Sequence, residues 1–96
     1  MNVTYMLRCG DGTLYTGWTN DMERRLAAHR KGEGSRYTRS RLPVHLVYME
    51  ELESREAAMS REWHIKRLKR KEKEALVACL PETVRMEIQA LDSEKT

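Results

Sequence analysis

Three β-forming segments, in a chain whose other patterned segments are helical, restrict the fold of this sequence more than any other feature. Residues 3–9 and 13–18 are rich in β-branched and aromatic residues, and Gly10-Asp11-Gly12 between them is a turn signal. The two segments therefore predict a hairpin. Pro43 precedes a third β-rich segment at 44–49. Because three antiparallel strands cannot cover both of their faces, helices must pack on them.

Capping residues predict where the first helix lies. Asn20 is a suitable N-cap, and Glu23 three residues later completes a capping-box pattern. The helix is expected to run to about Lys31 and to end at Gly32. A basic loop is expected over residues 32–42.

Further helices are predicted after the third strand. Ser54 can cap a helix that runs to Leu68 or Lys69, and another helix is expected over residues 71–80. The predicted order is ββαβαα(α), an α/β (α+β) fold with a three-stranded antiparallel sheet flanked by helices. Residues 1–80 are expected to form the domain, and residues 81–96 a C-terminal helical extension with a frayed tail.

Composition excludes several classes of protein. Hydrophobic residues make up 40% and charged residues 34%, which is typical of a globular domain. No apolar run approaches the ~18 residues of a membrane span, and we see no secretory signal. We therefore expect a cytoplasmic protein without a membrane partner or a small-molecule cofactor. Cys9 and Cys79 are expected to be reduced and buried.

Positive charge is concentrated in two stretches. Residues 24–41 carry a net charge of +6 and residues 61–73 a net charge of +5, although the whole chain is only +3. This clustering is the electrostatic pattern of a protein that binds phosphate backbones. Ordinary solvated helix faces are the alternative explanation.

The first helix places polar side chains on an apolar stripe. Met22, Arg25, Leu26 and His29 follow the spacing of one helix face. Since an unpaired buried guanidinium is costly, Arg25 must be paired or must line a cleft, unless it extends to solvent from the helix edge.

The next long helix has a comparable feature. Ala58, Glu62 and Ile65 share a face, which brings a carboxylate among apolar residues. Glu62 could form an i,i+4 pair with Lys66. It could instead be a ligand of a hard divalent cation such as Mg²⁺, which proteins typically hold with one or two carboxylates.

In order along the chain, these residues resemble the GIY-YIG nuclease superfamily. Val3-Thr4-Tyr5 and Tyr15-Thr16-Gly17 are similar to the two tripeptides that name the superfamily, and the stretches 15–29 and 61–66 are its more specific parts. Residues 34–39 and 43–48 are similar to the small stand-alone bacterial members.

The resemblance implies a role for each matching residue. Tyr15 would activate or position the attacking water, and Tyr5 would be its companion tyrosine. Arg25 would stabilise charge on the scissile phosphate, and His29 would be a further catalytic residue. Glu62 would bind a divalent metal, Mg²⁺ or Mn²⁺. Whether the two tyrosines share a sheet face depends on the hairpin register.

The sequence thus favours a metal-dependent DNA endonuclease of repair or processing, expected to be a monomer, with RNA as an open alternative substrate. A nucleic-acid-binding module without catalysis and an adaptor for repair proteins are the other hypotheses. In the first two, the nucleic acid would contact a set of basic side chains: Arg24, Arg36, Arg39, Arg41, Lys66, Lys69 and Arg70.

Overall fold

The computed structural model describes residues 1–93 and contains three strands and five helices over that range. Residues 94–96 of the predicted frayed tail lie outside the described residues. The elements in chain order are β1 (Asn2–Arg8), β2 (Leu14–Thr19), α1 (Met22–Arg30), α2 (Arg36–Arg39), β3 (His45–Leu52), α3 (Arg55–Lys66), α4 (Arg70–Ala78) and α5 (Glu82–Asp92).

The three strands form one antiparallel sheet in the order β2-β1-β3. In the β1–β2 hairpin Tyr5 lies opposite Gly17, and Leu7 lies opposite Tyr15. A register shift between Met6 and Leu7 interrupts the pairing of β1 with β3. The predicted sheet and its flanking helices are confirmed.

Each face of the sheet has its own core, because successive side chains of a strand point to opposite faces. On one face, Tyr5 and Leu7 pack with Leu26 of α1 and Ile88 of α5. On the other face, a smaller cluster of buried side chains contains Met6, Tyr48 and Ile65 of α3. Leu26 therefore holds α1 to one side of the sheet, and Ile65 holds α3 to the other. Complete burial of an aliphatic side chain of this kind contributes about 1.5–3 kcal/mol to stability.

The N-cap of α1 is Asp21, so the prediction of Asn20 is wrong by one residue. Asp21 Oδ1 accepts a hydrogen bond from the Arg24 backbone N–H at 3.2 Å. Thr19 Oγ1 accepts one from the Asp21 backbone N–H at 3.1 Å. Asn and Asp cap helices about equally well, and the Thr19 contact selects the second of them here.

The basic segment at 32–42 is more ordered than the predicted loop, because it contains the short helix α2. Ser35 is the N-cap of α2, and its hydroxyl accepts from the Thr38 backbone N–H at 3.2 Å. Four residues give too weak a periodic pattern to be recognised as a helix.

The predicted helical extension is an 11-residue helix, and its last turn is tied to the rest of the fold. The Asp92 carboxylate accepts from the Arg30 guanidinium at 2.5 Å and from the Leu46 backbone N–H at 2.8 Å. Cys9 is buried and free, as expected, but Cys79 is exposed, so the prediction that both are buried is wrong. Among the described residues, no helix has the length and apolar character needed to cross a bilayer.

Candidate active site

Four of the residues predicted for the site come together on the α1 face of the sheet. The ring centroids of Tyr5 and Tyr15 are 6.5 Å apart, and those of Tyr15 and His29 are 5.3 Å apart. Arg25 Nε lies 3.4 Å from the Tyr5 hydroxyl oxygen, to which it donates. Arg25 and His29 approach the tyrosines together because residues four apart lie on the same side of a helix.

The hairpin register explains why both tyrosines point to this face. Tyr15 is paired with Leu7, which lies two residues after Tyr5 in β1, so the two tyrosines lie on the same side of the sheet. Tyr5 extends across Gly17, where a Cβ atom would lie 2.6 Å from the Tyr5 hydroxyl oxygen. Gly17 is therefore required by the close approach of the Tyr5 ring.

Tyr5 and His29 form a fully buried pair at the base of the site. The Tyr5 hydroxyl oxygen lies 2.8 Å from His29 Nε2, and both side chains have zero exposure. Burial raises the pKa of Tyr5 to about 12, although the Arg25 hydrogen bond opposes this shift. Burial, assisted by the charge of Arg25, lowers the pKa of His29 to about 4. Both groups are therefore neutral near pH 7.

Residues at the start of α2 and just before it contact the other side of the His29 ring. His29 Nδ1 lies 2.9 Å from Thr38 Oγ1, which in turn lies 2.9 Å from Ser35 Oγ. The backbone at Gly34 passes so close that a Cβ atom there would overlap the His29 ring. The Gly34 carbonyl accepts a hydrogen bond from Arg25 Nη2 at 2.8 Å.

Sequence analysis did not identify Gly34, Ser35 or Thr38 as residues of the site. The available signal was the Ser35-to-Thr38 spacing, since a serine followed three residues later by a hydrogen-bonding residue is typical of an N-cap. Nothing in the sequence showed that this short turn packs against His29.

Tyr15 is the more accessible of the two site tyrosines. It is partly exposed, and its ring stacks on Tyr37 with the centroids 6.0 Å apart and the planes 24° apart. The Arg41 guanidinium covers Tyr37 at 3.7 Å from the ring centroid, and the Tyr37 hydroxyl donates to Thr13 Oγ1 at 2.7 Å. The basic segment at 32–42 thus forms the outer wall of the site.

Arg25 connects the buried and accessible parts. Hydrogen bonding to the Tyr5 oxygen raises the pKa of the Arg25 guanidinium, and Tyr15 adds to that increase. Arg25 and Arg24 also line a groove of about 410 Å³ beside the start of α1. Arg25 is therefore hydrogen-bonded and lines a cleft, and it does not simply extend to solvent from the helix edge.

Glu62 lies on α3, whose buried Ile65 packs on the sheet face opposite to the tyrosines, and no hydrogen bond or ion pair among residues 1–93 joins it to the other four site residues. Its carboxylate adds to the increase in the pKa of Tyr5, which means that its charge acts on that phenol. The side chain is 21% exposed, and Lys66 Nζ lies 3.1 Å from Glu62 Oε2. The predicted i,i+4 pair is therefore present.

The donor set fits a weakly held, hydrated ion. Among residues 1–93 there is no group of three or more His, Cys, Asp or Glu side chains that could enclose a metal. Mg²⁺ is commonly bound by one or two carboxylates, with water and substrate phosphate as the other ligands. Glu62 would supply one such carboxylate, and the Lys66 ammonium would compete with the ion for it.

Some of the basic side chains predicted to contact nucleic acid make ion pairs within the protein, and others do not. Arg24, Arg36 and Arg39 are exposed and make no ion pair within the described part of the chain. Arg41 pairs with Asp11 at 3.1 Å in addition to covering Tyr37.

The basic residues after α3 are also partly engaged. Lys66 contacts Glu62, and Arg70 pairs with Glu74 at 3.6 Å and donates to the Gly12 carbonyl at 3.0 Å. Lys69 is exposed, and its backbone N–H donates to Glu72 at the start of α4.

Comparison with known proteins identifies the family of this chain. The model of the GIY-YIG catalytic domain matches residues 1–75. A UPF0213 protein of Clostridium perfringens is 51% identical over 81% of this chain and 84% of its own length. A UPF0213 protein of Natronomonas pharaonis is 57% identical over 77% of this chain and 87% of its own length.

Solved structures show the same relationship. The solution NMR structure of a UPF0213 protein from Bacillus halodurans is 40% identical, with a TM-score of 0.56 over 99% of this chain and 100% of that one. A solution NMR structure from E. faecalis is 33% identical, with a TM-score of 0.53 over 99% of this chain and 92% of that one. The chain belongs to the GIY-YIG family.

Proposed function

We propose that the chain is a divalent-metal-dependent endonuclease that hydrolyses phosphodiester bonds in DNA, in repair or processing. The observation that carries this proposal is the position of Arg25. Its guanidinium touches the buried Tyr5, lies near the partly exposed Tyr15 and borders a groove. A permanent cation beside an accessible phenol suits phosphodiester hydrolysis better than a purely structural role.

Arg25 acts on the phosphate in this proposal, and Tyr15 acts on the attacking water. When water attacks the phosphorus atom it loses a proton to solvent, negative charge gathers on the phosphate oxygens, and the bond to the leaving oxygen then breaks. Arg25 stabilises that charge through a guanidinium held in advance by Tyr5 and Gly34. Tyr15 orients the attacking water by hydrogen bonding, which contributes through geometry.

Glu62 would hold the divalent ion, Mg²⁺ or Mn²⁺. When bound, such an ion supplies positive charge that stabilises the leaving oxygen. Lys66 must release the Glu62 carboxylate for the ion to bind, and the ammonium is then free to contact a DNA phosphate. A partly exposed i,i+4 pair of this kind is weak enough to exchange, since it contributes only about 0.2–0.5 kcal/mol.

In this proposal Tyr5 and His29 are buried residues that position Arg25 through hydrogen bonds. Neither is exposed, and both are neutral near pH 7, so they position Arg25 instead of meeting the substrate. The free cations Arg24, Arg36 and Arg39 would contact the DNA backbone, which favours binding independent of base sequence.

A second candidate is a nucleic-acid-binding module without catalysis. The Lys66–Glu62 contact favours it, because the only carboxylate proposed as a metal ligand already has a cationic partner. Such a module would keep the basic surface and would need neither the metal nor the Glu62 charge.

The test is nicking of supercoiled plasmid by the purified chain with Mg²⁺ or Mn²⁺. Wild type should nick, and EDTA, Glu62→Ala or Arg25→Ala should each abolish nicking. Glu56→Ala is the matched control, because Glu56 is an exposed glutamate in the first turn of the same helix. Nicking that survives at the wild-type rate in both site variants would overturn the assignment.

DNA binding measured in parallel separates the two candidates. A binding module would retain DNA in a salt-sensitive manner without cleavage, and Glu62→Ala would leave that retention unchanged. The nuclease proposal requires cleavage by the wild-type protein under the same conditions.

A further inference from the structure

A continuous line of hydrogen bonds runs through the interior from α1 to the turn before α2. It begins at Arg25 Nε, 3.4 Å from the Tyr5 oxygen, and passes from that oxygen to His29 Nε2 at 2.8 Å. It continues from His29 Nδ1 to Thr38 Oγ1 at 2.9 Å, and from there to Ser35 Oγ at 2.9 Å. Tyr5, His29 and Thr38 all have zero exposure, so water does not interrupt the line.

The donors in this line have a defined direction. A guanidinium can only donate, so the Tyr5 oxygen accepts from Arg25. The single Tyr5 proton then has His29 Nε2 as its acceptor. A neutral imidazole carries one proton, and with Nε2 accepting, that proton lies on Nδ1 and is donated to Thr38 Oγ1.

The opposite tautomer leaves a buried donor unsatisfied. If Nε2 carried the imidazole proton, the Tyr5 oxygen would accept from both Arg25 and His29. Its own proton would then have no acceptor, since these two are the hydrogen-bond partners of the Tyr5 hydroxyl within residues 1–93. An unpaired buried donor costs about 1–3 kcal/mol, which is enough to select the Nδ1–H tautomer.

The geometry points to Thr38 as a positioning residue that accepts the Nδ1 proton of His29, which keeps Nε2 free to accept the Tyr5 proton. Thr38 can do this because it is held at both ends. Its backbone N–H donates to Ser35 Oγ at 3.2 Å, and its hydroxyl lies between His29 and Ser35. The short helix α2 thus holds the Thr38 hydroxyl against His29.

The consequence for activity rests on the proposed nuclease function. With the Tyr5 proton directed to His29, a lone pair of the phenol oxygen faces Arg25 and holds the guanidinium toward the phosphate. Loss of the Thr38 hydroxyl would loosen that orientation. Removal of a residue that orients another group in a site typically lowers activity about 10–100-fold.

The direct test is the tautomer of His29, read by NMR from the ring nitrogens of ¹⁵N-labelled protein at pH 7. Wild type and Thr38→Ser should show the proton on Nδ1. In Thr38→Val each tautomer leaves one buried donor without an acceptor, so the preference for Nδ1–H should weaken and the Nε2–H fraction should rise above that of wild type. Thr4→Val is the matched control, since Thr4 is equally buried but donates to the Ala58 carbonyl on the other sheet face, and its His29 signals should match wild type.

The outcomes of this test are separate from those of the nuclease test. A wild-type His29 with its proton on Nε2, or an unchanged Nδ1–H signal in Thr38→Val, would overturn the role of Thr38 whether or not the protein cleaves DNA. Where cleavage is observed, Thr38→Val should lower kcat about 10–100-fold with little change in KM, and Thr38→Ser should restore most of it. A folded Thr38→Val with wild-type kcat would equally contradict the inference.

Discussion

The hydroxyl of Tyr5 lies 2.8 Å from Nε2 of His29, and neither side chain is exposed. This contact joins β1 to α1 next to Arg25 and Tyr15. Two neutral polar groups buried together stabilise the fold only while each satisfies the other. Their protonation states therefore affect both stability and the geometry of the site.

Protonation of His29 should destabilise the folded protein at acidic pH. The folded-state pKa is about 4, and the ordinary value is 6.5. Between these values the unfolded chain binds more protons, so the free energy of unfolding should fall as the pH decreases from about 6.5 to about 4. The total loss from this group is about 3 kcal/mol. Urea denaturation at several pH values measures it.

Substitutions of two histidines isolate this effect. His29→Gln should remove most of this pH dependence, whereas His64→Gln, at an exposed position on α3, should keep the wild-type slope. An unchanged slope in His29→Gln would show that other groups cause the acid sensitivity.

The fit between Gly17 and Tyr5 should appear as energetic coupling. A Cβ at Gly17 would lie 2.6 Å from the Tyr5 hydroxyl oxygen and 2.8 Å from the ring carbon that bears it. Gly17→Ala should therefore cost about 1–3 kcal/mol of stability. In Tyr5→Phe the cost should be smaller, because the nearest atom is gone. Thermal or urea unfolding of the double-mutant cycle measures the coupling, and strict additivity would contradict the contact.

Much of the fold could be predicted from the sequence, because strand composition, the turn at residues 10–12 and the Ser54 cap are local signals. The boundary error at Asn20 arose because Asn20 and Asp21 are equivalent as caps until the Thr19 contact is known. The helix α2 was missed because four residues give too weak a periodic pattern, and its contact with His29 is a tertiary interaction.

Lys66 should compete with a divalent ion for Glu62. Its ammonium lies 3.1 Å from the carboxylate, so Lys66→Gln removes the competing cation. We expect Mn²⁺ to bind this variant about 1.5- to 2-fold more tightly in the absence of DNA, in keeping with the small energy of a partly exposed pair. Titration followed by electron paramagnetic resonance measures the affinity. Lys71→Gln, at an exposed position of α4, should not change it, and tightening of equal size in both variants would indicate a general charge effect.

Free cations should contribute to DNA binding in a salt-dependent way. Arg36 and Arg39 are exposed and unpaired within residues 1–93, so each Arg→Ala change should lower the slope of log Kd against log salt by about one. Fluorescence anisotropy at several salt concentrations measures the slope. Arg85→Ala in α5, whose guanidinium donates to backbone carbonyls of Ala78 and Leu80, is the control. Equal slopes in all variants would exclude this surface from the DNA contact.

The site was less predictable than the fold. Arg25 and Glu62 stood out because each places a charge on an apolar helix stripe, and the structure shows a contact for each. The helix stripe already placed His29 among apolar residues, but the burial of Tyr5 depends on the hairpin register and could not be anticipated, nor could the packing of Gly34 on His29.

The central claim is that Tyr15, beside Arg25, orients the water that attacks the phosphodiester bond. The most direct measurement is the single-turnover cleavage rate of DNA with Mg²⁺ or Mn²⁺ for wild type, Tyr15→Phe and Tyr48→Phe. Tyr48 is a buried tyrosine of the opposite core whose hydroxyl donates to Glu50, so its substitution controls for the loss of a phenol oxygen. Wild type and Tyr48→Phe should cleave at similar rates, and Tyr15→Phe at least about 100-fold more slowly. Cleavage by Tyr15→Phe at the wild-type rate would contradict the account.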